Sequence, residues 1–297
     1  MATTSPDPTA PEPALDDAAE DATAPKASRA GRNLPAAIGV GLGLGALITV
    51  PLYSPYRWGF IVVLAAAVAV GTREIVHALR TLGAQPPIAP LLVGGAVMVV
   101  VAYREGSEAL FVGLVLTVLA CIVFRLADPA EGIFRDISAA TFTAAYVPFL
   151  AGFAALLAVP ADGPRRVTVF VATVVCSDVG GYAAGVLFGK HAMAPTVSPK
   201  KSWEGFAGSA AACALAGAIF FPTLLGTSAL LGVVYGLAVV LTATLGDLGE
   251  SMVKRDIGIK DMGSLLPGHG GIMDRLDSLL PTAPIAFLLL SAFVPLP

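Results

Sequence analysis

A carboxylate, a hydroxyl and an ammonium group recur at helical spacing near residue 250 of this 297-residue chain. Asp247, Ser251 and Lys254 are four and three residues apart in the stretch GDLGESMVKRD. Side chains at these spacings share one face of a helix. If the preceding apolar segment continues as a helix through this stretch, the three groups line up where that segment ends. We treat this face as a candidate catalytic site.

A glycine-rich turn and a second pair of carboxylates follow. The turn, PGHGG, places three glycines around His269, and glycine permits the positive φ angles with which a turn can present several backbone N–H groups to a phosphate. Asp274 and Asp277 are three residues apart and would share a helical face. A hard cation such as Mg²⁺ prefers oxygen ligands and usually shares one or two carboxylates with substrate phosphates. The combination indicates metal-assisted chemistry on phosphates.

Two further polar features lie earlier in the chain. Asp178 falls inside the apolar stretch VVCSDVGGYAAG, where a charge costs roughly 2.5 to 3.5 kcal/mol on insertion scales and is usually retained for function. The loop GKHAMAPTVSPKKSWEG places Lys200 and Lys201 side by side, and such a loop could hold an anionic lipid or a nucleotide phosphate. A solvated loop explains the lysines equally well, and Asp178 could instead cap a helix broken at Gly180 and Gly181.

Each of these features also has an ordinary structural explanation. Asp and Lys side chains near a helix end form surface pairs, His269 can be a simple loop residue, and glycines make turns. However, eight charged side chains fall between Lys254 and Leu280, in a chain that is 56% hydrophobic and only 13% charged. This concentration argues against independent coincidences.

The rest of the chain is too hydrophobic for a water-soluble domain, in which about 25% of residues are charged. The mean hydropathy is +0.80, and apolar stretches of about 20 residues, enough to span a bilayer, recur along the chain. Helices are expected because backbone groups in hydrocarbon must bond internally, and the alternation of a membrane β-barrel is absent. The sequence therefore predicts an all-α, polytopic membrane bundle of about nine transmembrane helices. The predicted spans are 34–53, 58–76, 88–103, 109–125, 137–157, 167–188, 206–225, 229–247 and 281–296.

The first 33 residues have a different composition. They are rich in Pro and Ala, carry six acidic residues before Lys26 and contain no apolar run, so we expect a disordered acidic tail ahead of a membrane domain at 34–297. The features of a signal peptide are absent from this tail. Cys121, Cys176 and Cys213 all fall within predicted spans, which excludes a disulfide framework or a CxxC metal site and predicts a packing role.

The distribution of Lys and Arg predicts the orientation in the membrane, because these residues are enriched in cytoplasmic loops. With the N-terminus inside, fourteen of the eighteen basic residues are cytoplasmic. Only Arg57, Arg104, Arg165 and Arg166 remain for the opposite side. We therefore expect a multi-pass protein of the plasma membrane whose N-terminus and candidate site face the cytosol.

Two stretches resemble a known family. SMVKRDIGIKDMGSLLPGHGGIMDRLD, from Ser251 onward, resembles the long signature of the phosphatidate cytidylyltransferase (CDP-diacylglycerol synthase) family, and residues 177–205 resemble its second block. The resemblance implies a nucleotidyltransferase of phospholipid biosynthesis that converts CTP and phosphatidic acid to CDP-diacylglycerol and pyrophosphate, with Mg²⁺ required. The expected partners are CTP, phosphatidic acid and the lipid bilayer. No nucleic acid is expected, and a homodimer is left open.

The resemblance also implies roles for particular residues. By similarity to the family, Asp247 and Asp274 are metal ligands, and Ser251 and Lys254 lie beside them in the catalytic group. The residues implied in substrate binding are Asp178, Lys200, Lys201, Arg255, Lys260, His269, Gly270, Gly271 and Arg275.

Two other functions were weighed against this one. A CTP-dependent membrane lipid or polyprenol kinase fits the composition but not the full signature. A secondary transporter would also be polytopic, with an intramembrane Asp178 and glycine-broken helices. It would place ionisable residues near mid-membrane on several spans, whereas here they crowd towards one side. The product, a CDP-lipid or a phosphorylated lipid, separates the two enzymes.

Overall fold

The structure, a computed structural model, describes residues 1, 34–127, 131–263, 265 and 270–295. Within these residues, eight helical segments are long and apolar enough to cross a membrane. A further apolar helix precedes them, which makes nine segments. The predicted all-α, polytopic membrane fold is confirmed. The acidic tail predicted to be disordered falls, apart from Met1, outside the described residues.

The segments follow one another as a chain of helices interrupted by a single small hairpin. They are α1 (Leu34–Leu52), α2 (Trp58–Thr81), α3 (Ile88–Glu105), α4 (Ser107–Arg125), α5 (Ile133–Ala144), α6 (Leu150–Leu157), α7 (Gly163–Phe188), β1 (Ala192–Ala194), β2 (Ser198–Ser202), α8 (Trp203–Phe220), α9 (Ala229–Ile257), α10 (Met273–Leu276) and α11 (Leu279–Phe293). The π-helical turn Ala145–Phe149 joins α5 and α6 into one span, and a second π-helical turn, Phe221–Leu225, extends α8.

Two helix boundaries matter for the candidate site. Helix α9 continues without a break through GDLGESMVKRD to Ile257, as the helical spacing of its polar residues required. The last span begins earlier than the predicted 281–296, because Met273–Leu276 is already helical and leads into α11. The charged residues Asp274, Arg275 and Asp277 lower the hydropathy of this first part of the span. A prediction based on hydropathy therefore does not include it.

Contacts between loops divide the bundle into two faces. On one face, the guanidinium of Arg125 pairs with the buried carboxylate of Asp136 at 2.8 Å, and the same carboxylate accepts the N–H of Gln85 at 2.6 Å. The α2–α3 and α4–α5 loops therefore lie together. On the other face, Arg57 donates to the carbonyl of Pro160 at 2.8 Å, which joins the α1–α2 and α6–α7 loops. This alternation is what nine successive spans require.

Small residues allow α7, α8 and α9 to approach one another closely. A methyl group added at Gly180 of α7 would lie 2.6 Å from the Cβ of Ala212 in α8. One added at Gly232 of α9 would collide with the carbonyl oxygen of Gly217 in α8. Small residues at helix contacts are the usual means of close packing in membranes. These three helices form the rigid frame of the candidate site.

All three cysteines are free thiols within the helices. Cys121 and Cys213 are buried, and Cys176 is half-buried. The burial of Cys121 and Cys213 agrees with the predicted packing role.

The loop between α7 and α8 contains structure that the sequence analysis did not predict. Strands β1 and β2 pair in an antiparallel hairpin, and the N–H of Trp203 donates to the carbonyl of His191 at 3.0 Å. The carboxylate of Glu204 accepts the N–H groups of Lys190 and His191 at 3.1 and 3.2 Å. These bonds hold the hairpin against the first turn of α8, and with it the two lysines at its end.

Candidate active site

A polar cleft opens where α7, α8, α9 and the α10–α11 segment meet the hairpin. Its volume is about 420 Å³, within the range of roughly 300 to 1,000 Å³ usual for small-molecule sites. Four carboxylates and three cationic groups line it: Asp178, Asp247, Asp274, Asp277, Lys200, Lys201 and Arg275. All but Asp277 have a role that the family resemblance implies. The fold thus brings three separate segments of the chain together.

An ion pair joins the hairpin to α9 across the cleft. The ammonium of Lys201, on β2, lies 2.5 Å from a carboxylate oxygen of Asp247. Both side chains remain partly exposed. Such a pair is worth only about 0 to 1 kcal/mol in solvent, so a phosphate or a cation can replace either partner at small cost.

Lys254 lies deeper and is more firmly held. Its ammonium donates to a carboxylate oxygen of Glu250 at 2.7 Å and to one of Asp274 at 2.9 Å. Glu250 is only 1% exposed. Removing one partner from a buried ion pair typically costs about 3 to 5 kcal/mol, since it leaves a charge uncompensated. Ser251, on the same helix, is half-buried but does not line the cleft.

Asp274 is the anchor of the loop that precedes it. Besides Lys254, its carboxylate accepts the N–H of Met262 at 3.0 Å and the N–H of Gly271 at 2.8 Å. The residue is 9% exposed. Asp274 therefore has a structural role that the sequence did not reveal. Its metal role stays a prediction.

A second carboxylate, Glu74 of α2, clamps the same turn. It accepts the N–H of Ile272 at 3.1 Å and the N–H of Met273 at 2.7 Å. A methyl group at Gly271 would lie 2.5 Å from both of its carboxylate oxygens, so a larger residue there would displace the Glu74 carboxylate from the turn. Sequence reasoning missed Glu74 because it lies 198 positions before Ile272. The only sequence feature that could have identified Glu74 is a carboxylate near the end of an apolar span. A similar feature, a carboxylate within an apolar span, identified Asp178.

The glycine turn differs from the phosphate-binding turn that we predicted. Gly270 does have a positive φ, 77°. However, the N–H of Gly271 bonds to Asp274, and the two N–H groups that follow bond to Glu74. The N–H of Gly271 therefore serves the fold, and a role of this residue in substrate binding stays a prediction. His269 lies outside the described residues, so its role and that of Gly270 in substrate binding stay predictions.

Two predicted phosphate contacts lie away from the cleft lining. Arg255 is exposed at the end of α9, and its Nε donates to the carbonyl of Val197 in the hairpin at 3.3 Å. Lys260 is exposed in the loop that follows. Arg255 thus helps to fix the hairpin, and a phosphate contact by either residue stays a prediction.

Asp277 is the cleft carboxylate to which the family resemblance assigned no role, although its spacing from Asp274 had paired the two. It lines the cleft together with Asp178 and Asp247, and these three carboxylates repel one another. In the part of the chain that the structure describes, no three Asp, Glu, His or Cys side chains form a complete metal site. Mg²⁺ does not need one, because substrate phosphates usually supply several of its ligands. The oxygen donors of the cleft fit a hard cation of that kind.

Comparison with known proteins shows which family the chain belongs to. Residues 35–293 match the cytidylyltransferase family. The chain belongs to this family. It is 46% identical over 281 residues to a phosphatidate cytidylyltransferase of Mycobacterium leprae, with 89% of each chain covered. It is 45% identical over 288 residues to one of Mycobacterium bovis, covering 92% of this chain and 93% of the relative. A chloroplastic phosphatidate cytidylyltransferase 4 of Arabidopsis thaliana is 29% identical over 301 residues, with 88% and 73% covered.

Family membership extends the earlier resemblance to the whole membrane domain. The sequence signatures cover only the loops of the second half of the chain, whereas the family match includes α2, which carries Glu74. The cytidylyltransferase family consists of nucleotidyltransferases, so the chain is an enzyme of this class. A residue of the first half can therefore belong to the same catalytic unit.

The clamp by Glu74 gives a testable prediction. In Glu74→Ala, two N–H groups lose their acceptor, at a cost of about 1 to 3 kcal/mol. We expect activity to fall at least about tenfold, equivalent to about 1.4 kcal/mol in the barrier. Amide exchange at Ile272 and Met273 should become faster, which mass spectrometry of the purified protein can measure. Arg73→Ala, at the exposed neighbouring position, should change neither quantity. Unchanged exchange in Glu74→Ala would rule out the clamp.

Proposed function

We propose that the protein is a phosphatidate cytidylyltransferase, which converts CTP and phosphatidic acid to CDP-diacylglycerol and pyrophosphate. The observation that carries the proposal is the cleft, where carboxylates and cations from the two signature segments meet at the ends of membrane helices. Relatives that bear this name cover 89% and 92% of the chain. A water-soluble nucleotide and a lipid can meet at such a boundary.

The reaction needs positioning and charge neutralisation more than covalent chemistry. A phosphate oxygen of the lipid attacks the α-phosphorus of CTP in line, and pyrophosphate leaves with the electrons of the broken P–O bond. The two substrates are both anions and repel each other. Lys200, Lys201 and Arg275 line the cleft and supply positive charge that can hold them together.

We propose that Asp247 and Asp277 hold the Mg²⁺ that this reaction requires, together with substrate phosphates. Both line the cleft. Asp274, the second ligand expected from the resemblance, is less suited because Lys254, Met262 and Gly271 already occupy its oxygens. When bound, Mg²⁺ would supply charge that stabilises the triphosphate and the departing pyrophosphate.

We also propose that the face with the cleft is cytoplasmic in the plasma membrane. The positive-inside count supports this orientation. The test replaces the three native cysteines by alanine and introduces Glu105→Cys or Asp261→Cys, at exposed positions near opposite faces. A membrane-impermeant thiol reagent added to intact cells should label the cysteine at 105, and the one at 261 only after permeabilisation. Labelling in the reverse order would overturn the orientation.

The assay of product identity tests the proposed function and separates it from the lipid kinase. Purified protein is given CTP labelled in the cytidine and phosphatidic acid, with and without Mg²⁺. We expect CDP-diacylglycerol and an equal amount of pyrophosphate, formed only with Mg²⁺. Transfer of a single phosphate to a lipid, with release of CDP, would instead identify a kinase.

The same assay, repeated over a range of Mg²⁺ concentrations, distinguishes the two candidate second ligands. Asp277→Asn keeps the shape of the side chain but removes the charge that a hard cation requires. We expect activity at least about 100-fold lower, about 2.7 kcal/mol in the barrier. The Mg²⁺ curve should shift to higher concentration while the thermal unfolding temperature stays unchanged. Asp274→Asn should lower the unfolding temperature, because it weakens the anchor of the loop.

Asp256→Asn is the matched control for both variants. Asp256 is exposed in the last turn of α9 and does not line the cleft. Its replacement should leave the rate, the Mg²⁺ curve and the unfolding temperature unchanged. A shifted Mg²⁺ curve in Asp274→Asn, with a normal curve in Asp277→Asn, would return the second ligand to Asp274.

A further inference from the structure

A groove lined only by apolar side chains borders the α10–α11 segment, which also borders the polar cleft. Helices α1, α2, α6 and α7 form its other walls, and its volume is about 90 Å³. The residues that matter here are Ala67, Phe170, Val171, Leu276 and Leu280. No charged residue of the described chain lines it, so its occupant must be apolar.

Helix α7 relates the groove to the cleft. Phe170 and Val171 line the groove, and Ser177 and Asp178, seven residues later, line the cleft. A spacing of seven returns to the same helical face two turns further on, which is about 10 Å along the axis. The groove therefore lies towards the middle of the membrane, directly below the cleft on one face of α7.

The α10–α11 segment marks the same junction from the opposite side. Leu276 lines the groove, and the next residue, Asp277, lines the cleft. Leu280, one turn further along the chain, also lines the groove. Polar and apolar linings thus meet at Leu276 and Asp277.

The cleft is accessible from the bilayer along α7. Asp178 and Tyr182 line the cleft and are both exposed, Tyr182 to 71%. Their neighbours Val179 and Val186 are large, exposed and apolar, as expected for side chains that face lipid. A lipid lying against this edge of α7 can place its head group in the cleft without leaving the membrane.

We propose that the groove receives a short section of one acyl chain of the lipid substrate while the lipid's phosphate lies in the cleft beside Arg275. This inference rests on the proposed function, since it takes phosphatidic acid as the substrate. Moving an acyl chain from bilayer to groove exchanges one apolar environment for another, so little hydrophobic free energy is gained. The groove acts by fixing the course of the chain about two helical turns below the cleft, and thereby orients the phosphate for attack.

Filling the groove tests the proposal. Ala67 is half-buried on α2 and lines the groove. In Ala67→Leu the added carbons occupy the space of the acyl chain. We expect kcat/KM for dioleoyl phosphatidic acid to fall at least about fivefold. The value for dibutanoyl phosphatidic acid, whose chains are too short to reach the groove, should stay unchanged, as should KM for CTP. Ala67→Val, a smaller change, should give an intermediate loss with the long-chain lipid.

Ala66→Leu is the matched control. This substitution adds the same side chain at the adjacent position, which is exposed and does not line the groove. It should leave kcat/KM unchanged for both lipids. An unaltered rate for dioleoyl phosphatidic acid in Ala67→Leu would overturn the proposal, and so would an equal loss for both lipids. Failure of the unsubstituted enzyme to form a CDP-lipid from either substrate would overturn the proposed function itself.

Discussion

The site depends on one set of contacts, in which the ammonium of Lys254 donates to the carboxylates of Glu250 and Asp274. A charge buried away from water is costly unless it is paired, and Glu250 and Asp274 are buried. Here the pairing joins the end of α9 to the start of α10, and Asp274 extends it to the backbone of the intervening loop at Met262 and Gly271. One lysine thereby fixes the relative position of the segments that form the cleft.

The charges of this region therefore fall into two groups with different tasks. Lys254 pairs with Glu250 and Asp274, while Asp274 and Glu74 accept backbone N–H groups and hold the loop in place. Lys200, Lys201, Asp247 and Asp277 face the cleft, where substrate and cation can reach them. Because the first group fixes the backbone, the side chains of the second group can stay close together even though their charges are not fully paired. An enzyme that joins two anions at a bilayer surface needs both groups.

Sequence reasoning could predict most of the fold and the identity of the main cleft residues. The bilayer sets the length of each span, and helical spacing aligned Asp247 with Lys254. It could not predict contacts between distant segments, such as Glu74 with Met273, because no local pattern records them. The hairpin was missed because Pro195 and Pro199 interrupt any strand pattern. The structural roles of Asp274 and Gly271 were not predicted, because a family signature does not distinguish a residue that binds substrate from one that holds the loop.

A double-mutant cycle on Lys254 and Asp274 tests this account most directly. The free energy of unfolding is measured in detergent for the unsubstituted protein, Lys254→Met, Asp274→Asn and the double variant. Residues in one buried network typically show coupling of about 0.5 to 3 kcal/mol. We expect a coupling of at least about 1 kcal/mol, because each single change leaves the other charge uncompensated. Additive effects of the two changes would show that this ion pair does not hold the site together.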